Sequence, residues 1–248
     1  MNNIDIDNIK KIYDPYPVWI IDNFLPNILV DQILENWPSD NIGWNTGHAE
    51  INGKKNILEY GMRALSNVNY MPKFYIDLIK KLNSKKYLDF YQSITGIDNL
   101  VFDDNFRWSG LREMVPGGYQ LIHSDARQHP ETGFTKTLTH LIYFNEGNYD
   151  KTKHEGCLEI WSDDLTELKA EIEPLNNRMV IFLNSDTSYH GVPKNNTNRK
   201  MITFSTLTNN KSYDRSKALF VSRKNIDSDE ISILGKKRAY IKDKIGKI

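Results

Sequence analysis

The sequence predicts a mainly β protein with flanking helices, built on a jelly-roll core with N-terminal helices packed on one of its sheets. From about residue 98 to residue 208, short runs of β-branched and aromatic residues alternate with turn residues, a spacing typical of sandwiches and barrels. One run, residues 178–183, is almost continuously apolar, as expected of a strand buried on both faces. Earlier in the chain, apolar residues recur at intervals of three and four, which indicates amphipathic helices.

The N-terminal elements follow from local signals. Residues 18–25 predict a strand, and Pro26 opens a helical pattern that ends before Pro38. Residues 71–95 predict one or two more helices. We expect Gly96 to end them, because glycine is favoured just after the last helical turn.

The strands of the core are predicted from short apolar or alternating runs between turn residues. These runs cover residues 119–123, 137–145, 156–161, 172–174, 178–183 and 199–207. A turn is predicted at the Pro-Gly-Gly sequence of residues 116–118, and polar loops at 128–136 and 146–155.

All 248 residues are expected to form one domain, since β cores in chains of this length are usually single domains. We expect a strand-helix support region at 1–97, the jelly-roll core at 98–208 and a basic helical tail at 209–248. A solvated helix with a basic face is the ordinary interpretation of such a tail; a docking surface for an anionic partner is the alternative.

Composition excludes some classes of function. The formal net charge is zero, so no overall field attracts nucleic acid or an anionic membrane. The single cysteine, Cys157, cannot form an intrachain disulfide, and its strand-like surroundings predict a small buried side chain rather than a nucleophile. No segment resembles a signal peptide or a membrane span, so we expect a cytoplasmic protein without a membrane or nucleic-acid partner.

A histidine and an aspartate follow the predicted strand at residues 119–123. Because side chains alternate along a strand, His123 and Asp125 would point the same way. Such a pair can hold a cation, or its members can simply hydrogen-bond to each other. A second histidine, His190, follows the buried strand and precedes Gly-Val-Pro. Two histidines and one carboxylate on one face of a metal suit non-haem Fe(II) chemistry.

An arginine nine residues after His190 opens the last predicted strand. Strand alternation puts Arg199, Met201 and Thr203 on one face. A buried arginine needs an anion, and a guanidinium binds a carboxylate through two parallel N–H donors. A salt bridge at the rim of the barrel is the alternative for Arg199.

The order of five segments resembles the 2-oxoglutarate and Fe(II)-dependent dioxygenases, most closely their prolyl-4-hydroxylase-like branch. The segments are HSD, LTHLIYFNEG, EGCLEIW, RMVIFLNSDTSYHGVP and NRKMITFS. The resemblance covers roughly residues 98–208 and implies a double-stranded β-helix core. It differs at Glu155, where relatives often have glycine, so the loop before Cys157 is expected to be shaped differently.

The resemblance also implies roles for individual residues. The metal ligands would be His123, Asp125 and His190. Arg199 would bind the far carboxylate of 2-oxoglutarate, with help from the hydroxyls of Tyr143 and Thr203. The predicted catalytic residues are therefore His123, Asp125, His190 and Arg199.

The implied activity is hydroxylation of an unactivated C–H bond with release of succinate and CO2. The implied cofactors are Fe(II), 2-oxoglutarate as co-substrate and O2, with ascorbate as an added reductant. Relatives that halogenate replace the carboxylate ligand, so the retained Asp125 favours hydroxylation. The substrate stays open between a prolyl residue, an amino acid and a small metabolite.

A different class of function is a non-catalytic or zinc-bearing jelly-roll module that binds a sugar or peptide. Zinc prefers tetrahedral sites and would leave Arg199 without a role.

Four residues near the HSD sequence could line the entrance of the site: Arg107, Trp108, Arg112 and Arg127. An arginine-rich rim would suit a substrate that carries a carboxylate or a phosphate. The remaining histidines are expected to lie outside the site, with His140 structural or exposed and the others on the surface: His48, His129 and His154.

Overall fold

A computed structural model describes residues 8–45, 50–51, 54–55, 58–145, 147–211 and 217–221, with only the backbone at 50–51, 54–55 and 211. The strands in this part of the chain are β1 (Lys10–Ile12), β2 (Val18–Ile21), β3 (Glu50–Ile51), β4 (Lys54–Lys55), β5 (Glu59–Leu65), β6 (Leu100–Phe102), β7 (Gly110–Ser124), β8 (Phe134–Tyr143), β9 (Leu158–Trp161), β10 (Leu168–Ile172), β11 (Met179–Leu183), β12 (His190–Val192), β13 (Arg199–Lys211) and β14 (Leu219–Phe220). The helices are α1 (Asn27–Glu35), α2 (Lys73–Leu82), α3 (Lys85–Thr95) and α4 (Lys151–His154).

Twelve of the described strands form one curled antiparallel sheet. Its main path runs β1-β2-β11-β8-β13-β7-β12-β9-β10, while β5 and β14 pair with β7 and β6 pairs with β13. Strands β3 and β4 form a separate pair. The mainly β, jelly-roll fold predicted from the sequence is confirmed.

Both faces of the central strands are buried, as the apolar run in β11 predicts. Met179 and Ile181 pack in a cluster on the outer face, whereas Val180 and Phe182 pack in a second cluster on the inner face. The outer cluster also contains the buried residues of α1, α2 and α3. The N-terminal helices therefore cover one face of the sheet, as predicted, and the other face is left to line an interior.

The predicted helix boundaries are confirmed. Pro26 and Pro72 precede α1 and α2, where proline fixes a suitable backbone angle and no donor is lost. Gly96 caps α3 in the left-handed conformation, with φ of 71°.

The predicted turn at residues 116–118 is wrong. These residues lie inside β7 as a wide bulge, in which residues 115–118 stand opposite Gly61 of β5 alone. Residues 110–114 pair with β13, whereas residues 120–123 pair with β12. The bulge therefore allows β7 to pair with β13 before it and with β12 after it, as bulges at barrel corners commonly do.

Other strand predictions were inexact. The strand predicted at 18–25 ends at Ile21, because Asn23 has a positive φ of 54°. Strand β10 covers Leu168–Ile172 rather than 172–174. Of the tail predicted at 209–248, the described residues include the strand β14, and residues 212–216 and 222–248 lie outside the described part.

Candidate active site

The two histidines and the aspartate singled out in the sequence lie close together. His190 begins β12 and pairs directly with His123 of β7, so both side chains project from one face of the sheet. Asp125 follows β7 by one residue. Each of the three offers one ligand atom, and these atoms all lie within 4.8 Å of one another.

The backbone fixes the tautomers of both histidines. Nδ1 of His123 donates to the carbonyl oxygen of Leu121 at 2.9 Å, and Nδ1 of His190 donates to the carbonyl oxygen of Ser188 at 2.9 Å. Because a carbonyl only accepts, each Nδ1 carries the proton and each Nε2 keeps its lone pair. The rings are thus prepared to bind a cation through Nε2.

Burial, followed by the neighbouring His123, lowers the pKa of His190 to about 4. The imidazole is therefore neutral at neutral pH, which a metal ligand must be.

The two carboxylate oxygens of Asp125 have different surroundings: one is hydrogen-bonded to neighbouring side chains and the other faces the candidate site. Its Oδ2 accepts from Lys136 Nζ at 2.6 Å and from Thr139 Oγ1 at 3.1 Å, while its Oδ1 lies 3.6 Å from His123 Nε2. Burial acts to raise the pKa of Asp125, but the charge of Lys136, with His190 and His123, holds that pKa well below its usual range. The carboxylate is ionised, and one oxygen is left to bind a cation.

Arg199 is a buried cation that lacks a full set of partners. The residue is 2% exposed, and its Nη2 donates to the Tyr143 hydroxyl at 3.0 Å. Its Nε is buried and has no hydrogen-bond partner in the part of the chain that the structure describes. Leaving a charged donor unpaired in the interior is costly, so this geometry fits a bound anion such as a carboxylate.

These groups share one cavity of about 460 Å³. Its lining includes the three candidate metal ligands together with Arg199, Met201 and Thr203, as strand alternation predicts for β13. Tyr143 is not part of the lining; it is fully buried beside Arg199 and supports the guanidinium. Five of the six residues predicted to bind iron and 2-oxoglutarate therefore face a common space, and the sixth, Tyr143, lies directly behind Arg199.

Two supporting residues were missed by sequence reasoning. Lys136 falls in the segment predicted as a polar loop, and Thr139 lies in the strand beyond it, yet both hold Asp125. Thr139 is itself hydrogen-bonded to Asn184. The inward face of β8, shared by Thr139, Leu141 and Tyr143, could have indicated Thr139, but a lysine in a segment predicted as a loop carries no comparable signal.

The remaining histidines differ from expectation in one case. His129, predicted on the surface, is fully buried with its Nε2 3.1 Å from Asp103 Oδ1, so this prediction is wrong. The buried carboxylate provides the partner that makes a polar side chain acceptable in the interior. His140 is structural, stacked 4.4 Å from Phe204. His154 is half-buried, and His48 lies outside the described residues.

Three of the four residues predicted at the entrance line the cavity: Arg107, Trp108 and Arg112. Arg127 does not, and its Nη1 lies 3.8 Å from Asp186 Oδ2. Cys157 is buried and burial raises the pKa of its thiol, in agreement with the structural interpretation. Glu155 adopts a glycine-like φ of 51°.

Comparison with known proteins agrees with this geometry. The profile of the 2OG-Fe(II) oxygenase superfamily matches residues 109–205, which contain both histidines, the aspartate and the arginine of the cavity. The match covers less than half of the chain and shows that these residues resemble that superfamily. The activity that the comparison supports is that of an oxygenase using Fe(II) and 2-oxoglutarate.

Several solved structures share the fold of this chain. A viral collagen prolyl hydroxylase from Paramecium Bursaria Chlorella virus-1, in its 2OG complex, is 15% identical with a TM-score of 0.52, covering 79% of this chain and 98% of that one. A 2OG-Fe(II) oxygenase family oxidoreductase from Burkholderia pseudomallei is 10% identical, with a TM-score of 0.54 and coverage of 80% and 88%.

HygX from Streptomyces hygroscopicus, with nickel, 2-oxoglutarate and hygromycin B bound, is 8% identical, with a TM-score of 0.51 and coverage of 77% and 82%. No curated protein matches the chain in sequence. None of the helices in the described part of the chain has the length and hydrophobicity needed to cross a bilayer.

Proposed function

We propose that this protein is a hydroxylase that binds Fe(II) at His123, Asp125 and His190 and binds 2-oxoglutarate at Arg199. The single observation that supports this most strongly is that a three-ligand cluster and a buried guanidinium with an unpaired Nε face one cavity. When bound, Fe(II), 2-oxoglutarate and O2 would supply the oxidising chemistry, which yields succinate, CO2 and a hydroxylated substrate.

The residues of this chain contribute positions and charges. The backbone carbonyls of Leu121 and Ser188 hold the histidine rings with Nε2 directed at the site. Lys136 and Thr139 hold one oxygen of Asp125 so that the other is presented. This arrangement provides three ligands on one face and leaves the remaining positions of an iron to co-substrate and O2.

At the other end of the cavity, Arg199 would take the far carboxylate of 2-oxoglutarate. Its guanidinium is held by the Tyr143 hydroxyl and lies 4.8 Å from the centre of that ring. Thr203, two positions beyond Met201 on the same face of β13, would add a hydroxyl. A zinc-bearing or non-catalytic module would give the unpaired Nε of Arg199 no partner.

The substrate is proposed to be a prolyl residue, an amino acid or a small metabolite. One similar structure is named as a collagen prolyl hydroxylase, and the HygX structure has hygromycin B bound, so the fold alone does not choose between peptide and small molecule. Ascorbate would serve only to keep the iron reduced.

A succinate-release screen tests the proposal. Wild-type protein is incubated in air with Fe(II), 2-oxoglutarate and ascorbate, alone and with prolyl peptides, free amino acids and sugars. Succinate should form with at least one candidate, and His190→Ala should abolish it because one metal ligand is lost. Succinate formed equally well by His190→Ala, or none across the whole panel, would contradict the proposed activity.

A further inference from the structure

A second arginine points into the cavity from the strand beside Arg199. Arg112 lies in the first half of β7 and pairs directly with Met201 of β13 and with Ala64 of β5. Residues that pair directly across strands share a face of the sheet. Arg112 therefore faces the interior with Met201, and both it and Ala64 belong to the cavity lining.

Among the described residues, the guanidinium of Arg112 lacks a partner. Within the described residues, no hydrogen bond or ion pair to it occurs, although the residue is half-buried. Burial lowers the pKa of Arg112, while Glu59 and Asp125 act on it only through longer-range charge interactions that oppose this shift. Both of these carboxylates already have other contacts: Asp125 with Lys136, and Glu59 with Gln120 Nε2 at 2.9 Å.

Arg112 and Arg199 do not pair directly across the strands. Arg199 pairs with Met114, so Arg112, two positions earlier in β7, is its diagonal neighbour. Diagonal neighbours in an antiparallel pair are about 7–8 Å apart at their backbones. In the proposed function, one carboxylate of 2-oxoglutarate lies on Arg199 and the other at the metal, which leaves the charge of Arg112 unmatched.

We propose that Arg112 anchors an anionic group, a carboxylate or a phosphate, of the substrate that is hydroxylated. The inference rests on the proposed function. In that function 2-oxoglutarate pairs with Arg199, and the positive charge of Arg112 is left to bind the primary substrate. The cavity volume of about 460 Å³ exceeds the needs of a five-carbon co-substrate and falls within the range of small-molecule sites. The hydroxylated carbon would then lie between Arg112 and the metal.

Anion binding to the loaded protein tests this directly. Wild-type protein is held without oxygen with Fe(II) and saturating 2-oxoglutarate, and inorganic phosphate or acetate is titrated by calorimetry. The variants are Arg112→Met, Arg112→Lys and a control, Lys200→Met. The control removes one positive charge from the outer face of β13, where Lys200 Nζ lies 5.8 Å from the Trp37 ring.

At least one of the two anions should bind saturably to wild type and to Lys200→Met. Binding should weaken about 10- to 100-fold in Arg112→Met, in line with loss of a charge-assisted contact, and less in Arg112→Lys. The anion that binds more tightly distinguishes a phosphate-bearing substrate from a carboxylate-bearing one. Affinity for 2-oxoglutarate, read from its visible band with Fe(II), should stay the same in all four proteins.

Unchanged anion binding in Arg112→Met, or no saturable binding to wild type, would overturn the inference. A loss of 2-oxoglutarate affinity in Arg112→Met would also overturn it, because Arg112 would then belong to the co-substrate site. The absence of a 2-oxoglutarate band in wild type would contradict the proposed function. The anion titration of the same samples would still show whether Arg112 binds an anion.

Discussion

Single residues prepare the candidate site before any metal binds. His123 and His190 are each oriented by a backbone carbonyl two residues earlier in the chain. Asp125 depends instead on a side chain, Lys136, that lies eleven residues away. Of the three candidate ligands, Asp125 is therefore the one that a substitution of a supporting side chain, such as Lys136, would disturb most.

Replacing Lys136 should destabilise the metal-free protein. Lys136→Met would leave the Asp125 side chain, which is 19% exposed, without its cation, and breaking such a pair costs about 2–4 kcal/mol. Added divalent metal should restore part of this loss by taking the place of the ammonium. Urea unfolding with and without metal measures both effects.

The double variant Lys136→Met/Asp125→Asn provides the control. Removing both charges should cost less than removing Lys136 alone, because no uncompensated carboxylate is left. Equal losses in the single and double variants would show that Lys136 matters for packing and not for the charge of Asp125.

The buried His140 should make the fold sensitive to mild acid. Burial lowers its pKa to about 3, below its ordinary value of 6.5, so the unfolded chain binds a proton that the folded chain does not. Stability should then fall as the pH drops below about 6.5, by about 2 kcal/mol at pH 5 for this residue. His140→Phe should lose stability less steeply than wild type between pH 7 and pH 5, and parallel urea-unfolding profiles would contradict this.

The sequence predicts some of these residues and not others, for a physical reason. Strand alternation is a local rule, so the HxD pair and the face of β13 that carries Arg199 and Thr203 could be predicted from neighbouring residues. The burial of His129 and the role of Lys136 depend on partners that are distant in the chain, Asp103 and Asp125. No local pattern records those partners.

Among the elements, β7 positions most of the site. Its bulge lets residues 110–114 present Arg112 beside β13, while residues 120–124 present His123 beside β12. The Pro-Gly-Gly sequence in this bulge predicts a turn from sequence, because the backbone angles that glycine adopts occur both in turns and in β-bulges. The strand β5, which pairs with both halves of β7, was not predicted, since its residues show no clear alternation and its pairing is long-range.

The start of β7 should tolerate no side chain at Gly110. A Cβ there would lie 2.4 Å from the carbonyl oxygen of Leu65, a backbone atom that cannot move aside, and φ is 149°. Gly110→Ala should therefore lower the free energy of unfolding by about 3 kcal/mol or more.

Gly117→Ala, in the same strand, is the matched control. Its φ is 85°, but no atom lies within 4 Å of the added Cβ, so the cost should be only about 1 kcal/mol of backbone strain. Similar losses in the two variants, measured by thermal or urea unfolding, would show that the contact with Leu65 is unimportant.

For the molecule as a whole, the two faces of one sheet have different tasks. The outer face packs against α1–α3 and supplies most of the hydrophobic core, while the inner face encloses the cavity. Among the described residues, the inner face keeps polar atoms such as Arg199 Nε buried without a partner, next to the cavity. The sequence predicts this division, because a strand that is buried on both faces has a nearly continuous run of apolar residues.

The central claim is that the metal cluster and Arg199 form one site for metal-chelated 2-oxoglutarate. The most direct measurement is an oxygen-free titration of the Fe(II)-loaded protein with 2-oxoglutarate, followed by its visible charge-transfer band. We predict a saturable band in wild type, no band in Asp125→Ala, and a much weaker affinity in Arg199→Met. No band in wild type, or equal affinity in Arg199→Met, would contradict the account.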